Sequence, residues 1–308
     1  MNATSSIAAA VSPNGVQRTG FRWRLISSLV LWAIMLAVVF WLPPGGLYLF
    51  MNIVVARALW EFYRICENKG LPSFKVWGVI ATVALISGSW FFFGSPRFEK
   101  LSYDFDIVIL VVFALGVFIR QFPQKFNPRG VETMAVTLFG LIYVGWLANF
   151  VTRINFAYRL PDGTASPDGR YFVMLLVVAT KFTDIGAYLT GTTLGRHKLV
   201  PRLSPNKTWE GAIGGVALAV AGALLCCLWL TPETMKQRGV TPSHAVVIGL
   251  LLGIAAIIGD LAESLIKREA GVKDSSHILP GHGGCLDMID SLLFTAPLLY
   301  MYMRLVLA

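Results

Sequence analysis

From Ser264 to Asp290 the chain reads SLIKREAGVKDSSHILPGHGGCLDMID, with Asp260 and Glu263 just upstream. Lys267, Arg268, Lys273, Asp274, His282, Asp287 and Asp290 crowd this stretch, which lies between two apolar runs long enough to cross a bilayer. Ionisable groups at a membrane are costly, so by default they mark a site rather than packing. The bases suit phosphate and the carboxylates suit a hard divalent cation. Around His282, Gly281, Gly283 and Gly284 let backbone N–H groups approach a ligand closely. Such a loop points to phosphate chemistry at a membrane surface.

Asp287 and Asp290 are three residues apart at the start of the last apolar run, so on a helix they share one face. Asp260, Glu263, Ser264 and Lys267 follow i, i+3, i+4, i+7 spacing near the end of the preceding run. Two antiparallel helices joined by this loop bring Asp260 within reach of Asp287 and Asp290. Three carboxylates with open positions suit Mg²⁺ or another divalent metal. The bland alternative is an intramembrane salt bridge from Asp260 or Glu263 to Lys267. Carboxylates outnumber bases within the helices, however, so that pairing leaves charge over.

A second constellation runs from Leu203 to Gly211. Ser204 followed by Pro205 reads as a helix N-cap with proline in the first turn. That helix end would offer free N–H groups and a positive dipole to an anion, with Lys207 beside it. A plain cap needs no ligand, but Gly195-Arg196-His197-Lys198 and Arg202 nearby favour phosphate. Lys181 with Asp184, at i, i+3, and Arg57 with Glu61, at i, i+4, read first as neutralising pairs. Asp184 has a second reading as part of the metal or nucleotide site. His282 has three: acid or base, phosphate ligand, or helix cap.

These residues sit in a chain of 308, of which 56% are hydrophobic and only 14% charged. Its mean hydropathy is +0.65. Soluble domains carry roughly 25% charged residues, so this is an integral membrane protein. The net charge of +9 fits basic loops that orient the chain and meet anionic lipid. No basic-aromatic face indicates nucleic-acid binding. The four cysteines include no CxxC pair and point to neither a disulfide framework nor a zinc site.

Nine apolar segments are expected to cross as helices, at about 25–42, 46–63, 76–93, 105–120, 132–151, 171–191, 209–230, 244–266 and 288–306. The first follows a basic 1–24 tail containing Arg18, Arg22 and Arg24 and reads as an uncleaved span rather than a signal peptide. The expected fold class is therefore all-α and polytopic, with 1–308 as one membrane domain and the motifs confined to 171–308. Lys and Arg number 16 on the side of the N-terminus and 8 on the other, with Arg57 and Lys181 inside spans. This bias places the N-terminus and both charge-dense loops in the cytoplasm.

The run S-L-I-K-R-x4-K-D-S-S-x2-L-P-G-H-G-G-x-L-D-x-I-D resembles the signature of the phosphatidate cytidylyltransferases, or CDP-diacylglycerol synthases. Asp184-Ile185-Gly186-Ala187-Tyr188, Gly195 to Leu199, Ser204 to Gly211 and Gly259 to Ser264 resemble other blocks of that family, in order, over about 180–291. Residues 1–170 match in hydropathy alone. Cys285 departs from an aliphatic residue, and Met288 stands where the resemblance expects an arginine able to grip phosphate in a bidentate manner.

The resemblance implies CTP and phosphatidate as substrates, converted to CDP-diacylglycerol and pyrophosphate for phospholipid synthesis. It implies Asp260, Asp287 and Asp290 as ligands of Mg²⁺, with room for a second cation. Lys207 would act on phosphate, alongside Ser204, Asp184, Lys267, Arg268 and Lys273, with the backbone of Gly281, His282, Gly283 and Gly284 adding donors. An active site on the cytoplasmic face of the inner membrane, if the chain is bacterial, and contacts with membrane lipids follow, and a homodimer is compatible. The competing readings are a paralogue acting on another lipid phosphate, a CTP-using polyprenol or phytol kinase, an inactive scaffold, and a transporter. A transporter should show two related halves with broken helices, and no internal repeat is visible.

Overall fold

The computed structural model describes residues 33–41, 44–95, 98–124, 127–158, 160, 166, 168–230, 232–237, 239–276 and 283–307. Helices account for nearly all of them. In chain order they are α1 (Pro44–Asn68), α2 (Lys75–Gly94), α3 (Glu99–Gln121), α4 (Gly130–Asn155) and α5 (Gly169–Thr193). A two-stranded hairpin, β1 (Lys198–Val200) and β2 (Ser204–Thr208), leads into α6 (Trp209–Trp229). A short α7 (Pro232–Gln237) and the long α8 (Pro242–Glu269) and α9 (Cys285–Val306) complete the chain. Residues 33–41 are also helical; the basic tail and half of the expected first span lie outside the described residues, as do Gly281 and His282.

Six helices among the described residues are long and apolar enough to cross a membrane: α2, α4, α5, α6, α8 and α9. They coincide with six of the expected spans, and the protein is an all-α, multi-pass membrane protein. Nine is not reached on this measure. α1 and α3 occupy the positions expected for spans 46–63 and 105–120, but they carry more charge, including Arg57, Glu61 and Arg64 in α1 and Asp104, Asp106 and Arg120 in α3.

Small residues set the helix spacing. A Cβ at Gly186 of α5 would lie 2.7 Å from the carbonyl oxygen of Gly214 in α6, and one at Gly249 of α8 would lie 2.5 Å from the Cα of Val220 in α6. Without a hydrophobic force between helices in lipid, such close backbone approach is a main source of association. The same device acts next to the acids. A Cβ at Gly259 in α8 would lie 2.9 Å from the Asp290 carbonyl oxygen in α9. The absent side chain is what lets α8 and α9 draw Asp260 and Asp290 together.

Ser204 does not cap a helix. It pairs with Val200 across the antiparallel hairpin, and Lys198 pairs with Thr208. Pro205 is tolerated because a two-stranded hairpin consists of edges, where a missing N–H costs nothing. The cap of α6 is Thr208, in extended conformation, whose hydroxyl accepts the Gly211 N–H at 3.1 Å. Lys207 therefore precedes the cap and lies on β2, outside the first helical turn.

On α4 the ladder widens into a π-helical stretch, Leu141–Trp146. Such stretches are frequent at functional sites. It carries Tyr143, a buried residue whose hydroxyl has no hydrogen-bond partner. Further along α4, Arg153 pairs with buried Asp106, which also accepts from Ser89 and Asn149. This network joins α2, α3 and α4 away from the motif loops.

Candidate active site

A cavity of about 720 Å³ opens between α5, the hairpin, α6, α8 and α9. Six acids line it: Asp184, Asp260, Glu263, Asp274, Asp287 and Asp290. Against them stand two lysines, Lys207 and Lys267. The size falls within the roughly 300–1,000 Å³ usual for small-molecule sites. The charge balance is unusual for a membrane protein and needs an explanation.

Part of it is internal pairing. Lys267 of α8, only 13% exposed, lies 2.5 Å from Glu263 and 2.6 Å from Asp287. Lys207 lies 2.5 Å from Asp260, an ion pair without hydrogen-bond alignment. Lys181 lies 3.3 Å from Asp184 and donates to the Met288 carbonyl oxygen at 3.0 Å.

Despite this pairing, three of the acids form a tight group. One carboxylate oxygen each from Asp260, Glu263 and Asp290 lie within 4.8 Å of one another. Glu263 and Asp290 are buried, and Glu263 Oε1 has no hydrogen-bond partner. Buried charge is retained only when paired, hydrogen-bonded or bound to a metal. Hard oxygen ligands at this separation, with an orphaned carboxylate oxygen among them, fit a divalent cation such as Mg²⁺.

The membership differs from the sequence expectation in one place. Asp287 is occupied elsewhere: its Oδ1 accepts from Lys267 at 2.6 Å, and its Oδ2 accepts from Gly284 N at 2.7 Å, Ser275 N at 3.0 Å and Ser275 Oγ at 2.7 Å. As the third residue of α9 it caps its own helix and ties down the preceding loop. Glu263, one turn beyond Asp260 on α8, stands with Asp260 and Asp290 instead. The spacing of Asp260 and Glu263 contains that information, but Lys267 at i+4 from Glu263 makes the pair read as a salt bridge.

The remaining sequence candidates divide. Asp184 and Lys207 line the cavity; Ser204, on the hairpin, does not. Arg268 donates to the Leu203 carbonyl oxygen at 3.2 Å and braces the hairpin turn. Lys273 is exposed on the 270–276 loop, and Gly283, at φ +86°, and Gly284 lead into α9. Met288 does not line the cavity; it packs against the main apolar cluster.

One residue read as merely structural has a larger part. Glu61 of α1, with no exposed side-chain surface, does pair with Arg57 at 3.3 Å. It also accepts from Ser276 Oγ at 2.7 Å, Ser275 Oγ at 3.1 Å and the Leu286 N–H at 2.9 Å. No local motif signals this, because its partners lie more than 200 positions away.

Comparison with known proteins fits this arrangement. A model described as the cytidylyltransferase family matches residues 22–306. This chain belongs to that family. The match includes the N-terminal half, where the sequence motifs are silent. A phosphatidate cytidylyltransferase of Synechocystis is 31% identical over 290 residues, covering 85% of this chain and 90% of that protein. One from Brucella suis is 50% identical over 163 residues, 53% of this chain and 55% of that protein. The uncharacterized protein YnbB of Escherichia coli K12 is 36% identical over 256 residues, covering 83% of this chain and 78% of its own length.

In this geometry Lys267 bridges Glu263 and Asp287 and holds the two acids together. Lys267→Met leaves Glu263 and Asp287 without their shared cation. Removing one partner of a buried pair costs about 3–5 kcal/mol. Thermal unfolding in detergent is expected to show a clearly lowered midpoint, with less folded protein recovered. A midpoint equal to that of the unaltered protein, with only substrate affinity reduced, would instead make Lys267 a phosphate ligand.

Proposed function

We propose that this protein transfers the cytidylyl group of CTP to phosphatidate, making CDP-diacylglycerol and releasing pyrophosphate. The observation that carries the reading is the cavity itself. Two polyanions must enter a space that already holds six carboxylates against two lysines, which is sensible only if cations come with them. Family membership across 22–306 supports the same reaction.

Asp260, Glu263 and Asp290 would hold a divalent cation, since their oxygens are close, hard and incompletely satisfied. A cation bound there would neutralise phosphate charge and align nucleophile and leaving group. The chain's own residues supply the rest. Lys207 lines the cavity beside Asp260 and would be free to meet a phosphate oxygen if Asp260 held the cation. Asn206 and Thr208 flank it on the same strand and line the same cavity. Lys267 keeps Glu263 and Asp287 in place, and Asp287 ties Gly284 to Ser275.

A phosphatidate oxygen forms a bond to the α-phosphorus of CTP. The bond from that phosphorus to the bridging oxygen breaks, and pyrophosphate departs with the electron pair. A phosphate monoester has its second ionisation at about pH 6, so the attacking oxygen is already largely free of its proton and no general base is required. Catalysis then rests on positioning and charge neutralisation.

We further propose nine spans with the N-terminus and the site on the cytoplasmic side. The 16-to-8 distribution of Lys and Arg supports this orientation. At about 1.5 Å per residue, α1 with 25 residues and α3 with 23 are long enough for a hydrocarbon core of about 30 Å. Two of their charges meet partners within the bundle: Glu61 meets Ser275, Ser276 and Leu286, and Asp106 meets the side chain of Arg153.

Purified protein supplied with radiolabelled CTP and phosphatidate is expected to form a lipid-soluble cytidylate and one equivalent of pyrophosphate, and to stop in EDTA. Undiminished turnover in EDTA contradicts the cation reading. Turnover only with a different lipid phosphate would redirect the substrate assignment. For the topology, Arg202→Cys in a background without native cysteines should react with an impermeant maleimide from the cytoplasmic side alone. Labelling from the outside of sealed, oriented vesicles reverses the orientation.

A further inference from the structure

Glu61 makes the longest connection in sequence among the polar contacts around the site, and a neutralising pair with Arg57 does not account for it. Its carboxylate is fully buried. Oε1 accepts the Ser276 hydroxyl at 2.7 Å and lies 3.3 Å from Arg57 Nε. Oε2 accepts the Leu286 N–H at 2.9 Å and lies 3.1 Å from Ser275 Oγ. Leu286 is the second residue of α9, so its N–H is one of the groups that a helix leaves without an internal partner. A carboxylate from α1 thus caps α9 from outside, at the end where negative charge is favoured.

Asp287 works from the other side. It accepts Gly284 N and Ser275 N, and its Oδ2 lies 2.7 Å from Ser275 Oγ. The single hydroxyl hydrogen of Ser275 serves one carboxylate at a time, so Glu61 and Asp287 share it. Between them Gly284 has no room for a side chain. A Cβ there would lie 2.3 Å from Glu61 Oε2 and 2.2 Å from Ser275 Oγ. The 273–276 loop, Gly284 and the first turn of α9 are therefore clipped to α1 at one point. Asp290, one turn further along α9, takes its place from that clip.

We propose that Glu61 is a positioning residue for the reaction. It acts through the Ser275–Ser276 loop and the start of α9, and so sets where Asp290 presents its carboxylate to the cavity. This inference rests on the transferase reading for its kinetic part, while its structural part stands alone. Glu61→Gln is nearly isosteric but replaces one acceptor oxygen by a donor, which then faces a hydroxyl or the Leu286 N–H. Loss of groups that orient a metal-binding shell typically costs roughly 10- to 100-fold in activity or metal affinity.

The test combines hydrogen–deuterium exchange with kinetics on the purified full-length protein. In Glu61→Gln, amides of 273–276 and 283–288 should exchange at least about tenfold faster, while α2, α3 and the Asp106–Arg153 region keep their protection. The same variant should lose kcat by roughly 10- to 100-fold, and its half-saturating Mg²⁺ concentration should rise. If it does not fold, Ser276→Ala removes a single donor and should give the same pattern severalfold weaker. Exchange and kcat within twofold of the unaltered protein would overturn the proposal. So would faster exchange throughout the bundle with unchanged specific activity of the folded fraction, since Glu61 would then be a stability residue only. If the unaltered protein fails to convert CTP and phosphatidate, the function reading fails, and local exchange alone decides the clip.

Discussion

Unbalanced negative charge inside a membrane protein is the constraint on which the rest of this structure depends. Burying one ionised carboxylate without compensation is prohibitively costly, yet α8 and α9 bring three together from Asp260, Glu263 and Asp290. Three lysines are drawn in. Lys267 spans Glu263 and Asp287, Lys207 meets Asp260, and Lys181 meets Asp184. The compensation is incomplete, and the incompleteness is useful. A site that is short of positive charge would suit a divalent cation, as proposed above.

Holding that charge requires backbones to approach closely and loops to stay shut. The first need is met by glycine at helix contacts, above all Gly259 against the Asp290 carbonyl. The second is met by two acids that bind no cation in this account. Asp287 ties Gly284 to Ser275, and Glu61 anchors Leu286 to α1. The hairpin supplies the opposite wall, braced by Arg268 at Leu203 and by Thr208 at the start of α6. Catalytic geometry in this fold is thus assembled from distant segments, which agrees with a family match extending over 22–306.

Much of this is legible in the sequence where the information is local. Asp260 and Asp290 are readable because each sits at helical spacing beside a motif loop between apolar runs. The six strongest spans are readable from hydropathy alone. Ser204-Pro205 misleads because it satisfies every local rule for a helix start, and only the pairing of Val200 with Ser204 turns it into a strand. Asp287 shows a related ambiguity: a carboxylate in a metal-like pattern is equally suited to capping its own helix, and here it does so. Glu61 is illegible from one chain, since its partners are remote and its neighbour Arg57 offers a sufficient local explanation. α1 and α3 stand where spans 46–63 and 105–120 are expected, but with Arg57, Glu61, Asp104 and Asp106 among their charges they are not among the six helices apolar enough to cross.

The division of labour among the acids is the central claim, and equilibrium binding of Mn²⁺ to the purified protein, followed by electron paramagnetic resonance, tests it most directly. The unaltered protein should bind the ion, Glu263→Gln and Asp290→Asn should weaken binding by at least about tenfold, and Asp287→Asn should alter it by much less. Unchanged binding in Glu263→Gln together with a full loss in Asp287→Asn would contradict the account and return Asp287 to the cation.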